Sequence, residues 1–172
     1  TVMFLRSNYR PFFRSISGVI EGIVVNFEAF LSFIPIALFI LILVLVAWKL
    51  VGRGMAGFTL VGLLFLVSMN LWNDTMHTLA LVLTATFISL VIGIPLGILA
   101  SRHDTVEKIL RPVLDLMQTM PIFVYLLPAV MFFSIGVVPA VLATVVFSMP
   151  PAIRLTNLGI RQVPAEMIEA AA

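Results

Sequence analysis

Four long stretches of this chain hold no Asp, Glu, Lys or Arg, and their spacing constrains the fold more than any motif does. They run from Ala29 to Trp48, from Gly54 to Asn73, from Thr75 to Ser101 and from Leu116 to Ile153. A helix that crosses a bilayer needs about 20 mostly apolar residues, so each of the first three can hold one span. The fourth is longer, and Gly136-Val137-Val138-Pro139 interrupts it with a helix stop followed by a restart. Two short helices, Pro121 to Ile135 and Val138 to Met149, are expected there, with one span plus a re-entrant loop as the alternative. Charged residues make up only 10% of the 172 positions, and hydrophobic ones 62%; soluble domains carry about 25% charged residues. The expected class is all-α, a polytopic membrane helix bundle of about five spans.

Charge placement then orients the bundle. Lys49 and Arg53 share one loop, Arg102, Lys108 and Arg111 share the next but one, and Arg154 and Arg161 follow the last span. Threading the spans in order puts all of them on one side, which the excess of Lys and Arg makes cytoplasmic. The opposite loops carry only Asp74. Arg6, Arg10 and Arg14 in the N-terminal tail run against this, but the balance over all loops places the N-terminus outside. Between Ile16 and Leu31 apolar residues recur at helical spacing, while Ser17, Glu21 and Glu28 gather on the other face. Carboxylates are costly in lipid, so this helix is expected to lie in the interface. The chain therefore divides into a tail with an interfacial helix over 1–30 and a transmembrane domain over 31–172. Asp104 to Leu116 reads as a charged helix outside the membrane, with Asp104 and Lys108, Glu107 and Arg111, and Arg111 and Asp115 each four apart.

Several functions are excluded. The absence of cysteine removes disulfides, thiolate metal sites and cysteine nucleophiles. The ten Lys and Arg form no basic patch, so nucleic acid is not an expected partner. His77 and His103 have no second ligand at metal spacing, and no Ser, His and acid set forms a nucleophile with its base; neither a metal site nor a catalytic residue is expected. Mid-span Asp, Glu, Lys and Arg, which ion-coupled carriers use, are missing from the charge-free stretches. No Gly-x-x-x-x-Gly-Lys-Ser/Thr loop is present, so this chain is expected to hold no cofactor, and any ATP would be bound by another subunit.

Other residues carry positive signals. Gly93 and Gly97, flanking Pro95, form a small-xxx-small pair suited to a close helix crossing. Gln118, Thr119, Met120 and Tyr125 surround a break at Pro121, where irregular backbone at membrane depth needs protein or a water-filled cavity. They are candidates for lining a translocation path, and interhelical hydrogen bonding explains them equally well. In the last run, Pro164 suits a first helical position and Ala165 follows it. Glu166 and Glu169 favour the positive end of such a helix, and Ala170, Ala171 and Ala172 continue it. Met167, Ile168 and Ala171 make a small apolar face, the kind that sinks into a groove on a soluble partner.

Glu169-Ala170-Ala171 resembles the EAA signature of permease subunits of bacterial ABC importers. The runs Leu79 to Ala85, Gly93 to Gly97, Arg111 to Thr119, Phe123 to Leu126, Pro150 to Thr156 and Gln162 to Pro164 are similar to the glycine betaine/proline betaine branch. Tyr9 to Phe13 and Trp48 are similar to it as well. The resemblance implies the MetI-like fold of type I ABC importers and a second permease copy in a homodimer. It also implies cytoplasmic ATPase subunits docked on Pro164 to Ala172, an extracytoplasmic substrate-binding protein, and a cell-membrane location with lipid around the spans. The signature continues in the family as E-A-A-x-x-x-G with further helices, whereas this sequence stops at Ala172. A truncated fold is therefore expected, from a reading frame that continues with Gly at the third codon beyond Ala172 and at least one more span. Permeases for another amino acid or small organic solute, and a channel or scaffold without nucleotide coupling, are the alternatives.

Overall fold

The computed structural model describes residues 10–163, which form seven α-helices and, among the described residues, no strand. In chain order these are α1 (Arg10–Phe33), α2 (Ile36–Leu50), α3 (Arg53–Ser68), α4 (Trp72–Arg102), α5 (Asp104–Thr119), α6 (Phe123–Phe133) and α7 (Val137–Arg161). Two compact units emerge, one from Gly22 to Leu81 and one from Val82 onward together with the chain up to Glu21.

In the first unit α1 stops at Phe33 because Pro35 lacks an amide proton and forces Ile34 out of the helical region. The charge-free stretch from Ala29 to Trp48 is thus shared between the end of α1 and α2. Helices α2 and α3 pack as a hairpin closed at Gly52, whose φ of 124° is open to glycine and strained for any side chain. The amides of Val51 and Gly52 both donate to Ala47 O, at 3.0 and 3.1 Å, ending α2 there. At 15 and 16 residues, α2 and α3 are about 22–24 Å long, shorter than the hydrocarbon core of about 30 Å. Lys49 and Arg53 stand at the turn, where their long stems can reach water from a shallow position. Trp72 opens α4 edge-on to Phe39 of α2, with ring centroids 5.5 Å apart.

The second unit is organised by α4 and α7. On α4 the buried residues Ser89, Gly93, Gly97 and Ala100 recur every third or fourth position, giving a stripe of small side chains. It faces α7 in matched order: Ser89 against Ser148, Gly93 against Ala152, Gly97 against Thr156 and Ala100 against Arg161. Both series ascend together, so the two helices run parallel and their C-terminal ends lie side by side. The crossing expected from Gly93 and Gly97 is present, and it is close: a methyl at Gly97 would meet Thr156 Cβ at 2.6 Å.

Between these parallel helices the chain returns through α5 and α6, which bend by 89° at Met120 to Ile122. Pro112 is carried inside α5, and the bend falls at Pro121, where Met120 takes the extended conformation typical before proline. Helix α6 ends at Ser134, whose φ is 69°. It is shorter than the expected Pro121 to Ile135, while α7 runs well past the expected end at Met149, through Pro150 and Pro151 to Arg161. The two prolines cost the carbonyls of Val146 and Phe147 their helical donors. Burial of Val141 and Val145 before them and of Ile153 after them holds both halves on one face of the unit, and packing keeps the helix continuous. Phe13 of α1 stacks on Phe132 at 5.1 Å and meets Phe133 edge-on at 5.4 Å.

Among the described residues, three helices are long and apolar enough to cross a membrane, Phe13–Phe33, Trp72–Arg102 and Val137–Arg161, and α5 with α6 makes a fourth if the bent pair is one broken span. Leu41, Phe58, Val61, Phe87 and Val91 stay exposed, as side chains do when lipid replaces water around them.

Candidate functional site

Among the described residues, the densest polar cluster forms where the C-terminal ends of α4 and α7 meet the start of α5. Local chemistry puts the charges there. Asp104 and Glu107 occupy the first turn of α5, which favours acids, and Arg161 the last turn of α7, which favours bases.

The guanidinium of Arg161 joins all three helices. Its Nη2 donates to Asp104 Oδ1 at 2.7 Å and to the Ala100 carbonyl at 3.0 Å, and it lies 3.0 Å from Glu107 Oε2. Its Nε donates to Asn157 Oδ1 at 3.0 Å, one turn back along α7. Ala100 O belongs to the last turn of α4, so Arg161 satisfies a carbonyl that the helix itself leaves open. A second bridge, Arg154 to Asp115, ties the middle of α5 to α7. The sequence spacing had suggested pairs within α5, yet these carboxylates bond across to α7. Hydrogen bonding and charge from Arg161 hold the Asp104 carboxyl below the ordinary carboxylate range. An open groove of about 380 Å3 runs along this seam, floored by Leu110, Leu114 and Ile153 and rimmed by Arg111, Arg154 and Asn157.

Exposed ion pairs contribute little stability, about 0–1 kcal/mol each. The cluster's consequence is geometric: the end of α7 is fixed in register with the α4–α5 corner. The segment singled out in the sequence, Pro164, Ala165, Glu166, Met167, Ile168, Glu169, Ala170, Ala171 and Ala172, begins three residues further on and lies outside the described residues.

The other candidates gather at the α5–α6 bend. Tyr125 Oη shares its proton between the carbonyls of Met117, at 2.7 Å, and Met120, at 2.5 Å, and so pins the bend. Thr119 Oγ1 donates to Asp115 O at 2.9 Å, one turn back in its own helix. Gln118 and Met120 are exposed. The structure thus brings Tyr125 and Met120 into contact and gives Thr119 a local role. Two contacts had no sequence signal. His77 Nδ1 lies 2.9 Å from Glu28 Oε2, linking α1 to α4 across 49 residues. Ser89 and Ser148 bond at 2.6 Å across the α4–α7 seam. Among the described residues, no group of three or more His, Cys, Asp or Glu could hold a metal.

Residues 93–172, from the glycine crossing to the last residue, match the family described as binding-protein-dependent transport system inner membrane component. The chain is 50% identical over 169 residues to the glycine betaine transport system permease protein OpuAB of Bacillus subtilis (strain 168), covering 98% of this chain and 60% of the relative. It is 48% identical over 169 residues to the glycine betaine/carnitine transport permease protein GbuB of Listeria monocytogenes serotype 1/2a (strain 10403S), covering 96% and 60%. With the glycine betaine/proline betaine transport system permease protein ProW of Escherichia coli (strain K12) it shares 47% identity over 164 residues, covering 95% and 46%. The chain therefore spans about 60% of the length of the first two curated relatives.

Proposed function

From the premise that this chain belongs to the binding-protein-dependent transport system inner membrane component family, we propose that it is the membrane-spanning permease subunit of an ABC importer. Its cargo is glycine betaine, proline betaine and related compatible solutes. The observation that carries this reading is the 50% identity to a glycine betaine permease, extending over 98% of the chain rather than over one motif.

Energy enters from outside the chain. A separate cytoplasmic ATPase binds and hydrolyses ATP, and docks on Pro164 to Ala172 with the small apolar face of Met167, Ile168 and Ala171 in its groove. ATP binding draws two such subunits together and the docked segments follow. The paired permease copies then rock from inward-facing to outward-facing, where a binding protein delivers solute. Gln118, Thr119, Met120 and Tyr125 border the path at the α5–α6 bend. The N-terminus lies outside the cell membrane, lipid surrounds the spans, and the corner formed by Arg102, Asp104 and Arg161 faces the cytoplasm.

A second reading keeps the importer and widens the cargo. A relative named for trimethylamine N-oxide transport, from Pelagibacter ubique (strain HTCC1062), is 40% identical over 127 residues, and trimethylated nitrogen is common to that solute, glycine betaine and carnitine. Uptake of labelled glycine betaine into proteoliposomes tests both readings, using protein from the complete reading frame with its ATPase and binding protein. Uptake that requires ATP and is competed best by proline betaine supports the first; stronger competition by carnitine or trimethylamine N-oxide favours the second. Solute flux without ATP or binding protein would leave the channel alternative standing instead.

A further inference from the structure

We infer that Arg161 is the positioning residue that couples the ATPase-docking segment to the α4–α5 corner, so that displacement of Pro164 onward moves α4 and α5 as well as α7. This rests on the importer reading above and names the side chain through which the docking segment acts.

A helix end held only by its own last hydrogen bonds frays, because its final carbonyls have no intrahelical donors. At the end of α7 those bonds are Gln162 N–H to Leu158 O at 3.0 Å and Val163 N–H to Ile160 O at 3.4 Å, and Pro164 can donate none. Force applied at Pro164 would bend this last turn rather than travel up the helix. Arg161 changes that. It is anchored to Ala100 O of α4 and to Asp104 and Glu107 of α5, and it is oriented from behind by Asn157. Three hydrogen-bond acceptors and the further carboxylate of Glu107, on three helices, converge on one planar group, which a flexible ammonium could not serve together. Upstream, the glycine crossing holds α4 against α7, and Arg154 to Asp115 adds a second tie between α5 and α7 away from the corner. Of the side-chain polar contacts among the described residues of this unit, those of Arg161 lie nearest the docking segment and reach both other helices.

The test uses protein from the complete reading frame, assembled with its ATPase and binding protein in proteoliposomes. Its readout is the ratio of solute-stimulated to basal ATP hydrolysis, together with the amount of ATPase that co-purifies. Arg161→Ala is expected to lower the ratio by about tenfold, the scale of coupling between sites, with co-purified ATPase unchanged. Arg161→Lys should fall between it and the wild type. The double variant Asp104→Asn with Glu107→Gln leaves Arg161 intact and is expected to lower the ratio in the same direction, so it decides the matter even if Arg161→Ala fails to assemble. A wild-type ratio in the double variant would overturn the inference. So would a parallel loss of basal activity, stimulated activity and bound ATPase in that double variant, since that marks a merely structural role. A wild-type complex with no solute-stimulated hydrolysis would instead count against the importer reading.

Discussion

Substituting Gly97 by alanine probes the seam on which the second unit is built. The added methyl would lie 2.6 Å from Thr156 Cβ, 2.8 Å from the Ile153 carbonyl oxygen and 2.9 Å from Thr156 Cγ2. Carbon atoms prefer about 3.5–4.0 Å, so α4 and α7 must part by about 1 Å. Neither Cβ nor the carbonyl can rotate away, which puts the overpacking cost near the top of its usual range of about 1–3 kcal/mol. Alanine returns about 1 kcal/mol of helix propensity, leaving a net loss of about 2 kcal/mol. For a domain of this size that lowers Tm by about 4–8 °C. Two controls calibrate the value. Gly93→Ala places its methyl 2.9 Å from Ala152 Cβ, which cannot rotate away either, but 3.6 Å from the next neighbours, so with a single close contact it should lower Tm by less than Gly97→Ala. Gly62→Ala meets nothing within 4 Å and should hold or raise Tm. The assay is thermal unfolding of the purified protein in lipid nanodiscs, followed by intrinsic fluorescence. A Gly97→Ala protein as stable as Gly62→Ala would refute the close crossing.

Further outcomes follow from the same contacts. The Asp104 carboxyl is held below its ordinary value of 3.8, so its contribution is fully present above that value and is lost as pH falls through the lowered one. The stability difference between wild type and Asp104→Asn, read by unfolding across pH, should be constant from neutral pH down to about pH 5 and vanish only below the ordinary carboxyl pKa. Ser148→Ala leaves buried Ser89 with only its long 3.5 Å contact to Val145 O and should cost about 1–2 kcal/mol, whereas replacing both serines by alanine should cost less than Ser148→Ala alone. Tyr125→Phe removes the proton shared by Met117 O and Met120 O and should lower Tm by the equivalent of about 1 kcal/mol. Equal stability of that variant and wild type would show that the hydroxyl does not pin the bend.

Helical class and apolar mass were legible in the sequence because charge is excluded from lipid, and the gaps between Glu28, Lys49, Arg53, Asp74 and Arg102 bracket α2, α3 and α4. Gly93 and Gly97 announced their crossing, since only small residues permit such an approach. Helix ends were less legible. Pro35 breaks a charge-free run that composition alone reads as continuous, while Pro150 and Pro151 look like a stop that packing on both sides overrides. The polar joints were invisible, because Arg161 to Asp104 and Arg154 to Asp115 join residues 57 and 39 apart. Local spacing gave these carboxylates nearer partners at four residues. The parallel packing of α4 and α7 brings the distant arginines closer than those.

On the proposed reading, the segment from Pro164 to Ala172 grips an ATP-hydrolysing subunit. The 172 residues contain no cysteine, so single cysteines introduced at Met167 or Glu169 give defined attachment points for a short bifunctional cross-linker in native membranes. The expected product is a covalent adduct with the ATPase subunit whose yield changes when ATP is added. Adducts formed only with lipid headgroups or extracytoplasmic proteins, at both positions and in both nucleotide states, would contradict it.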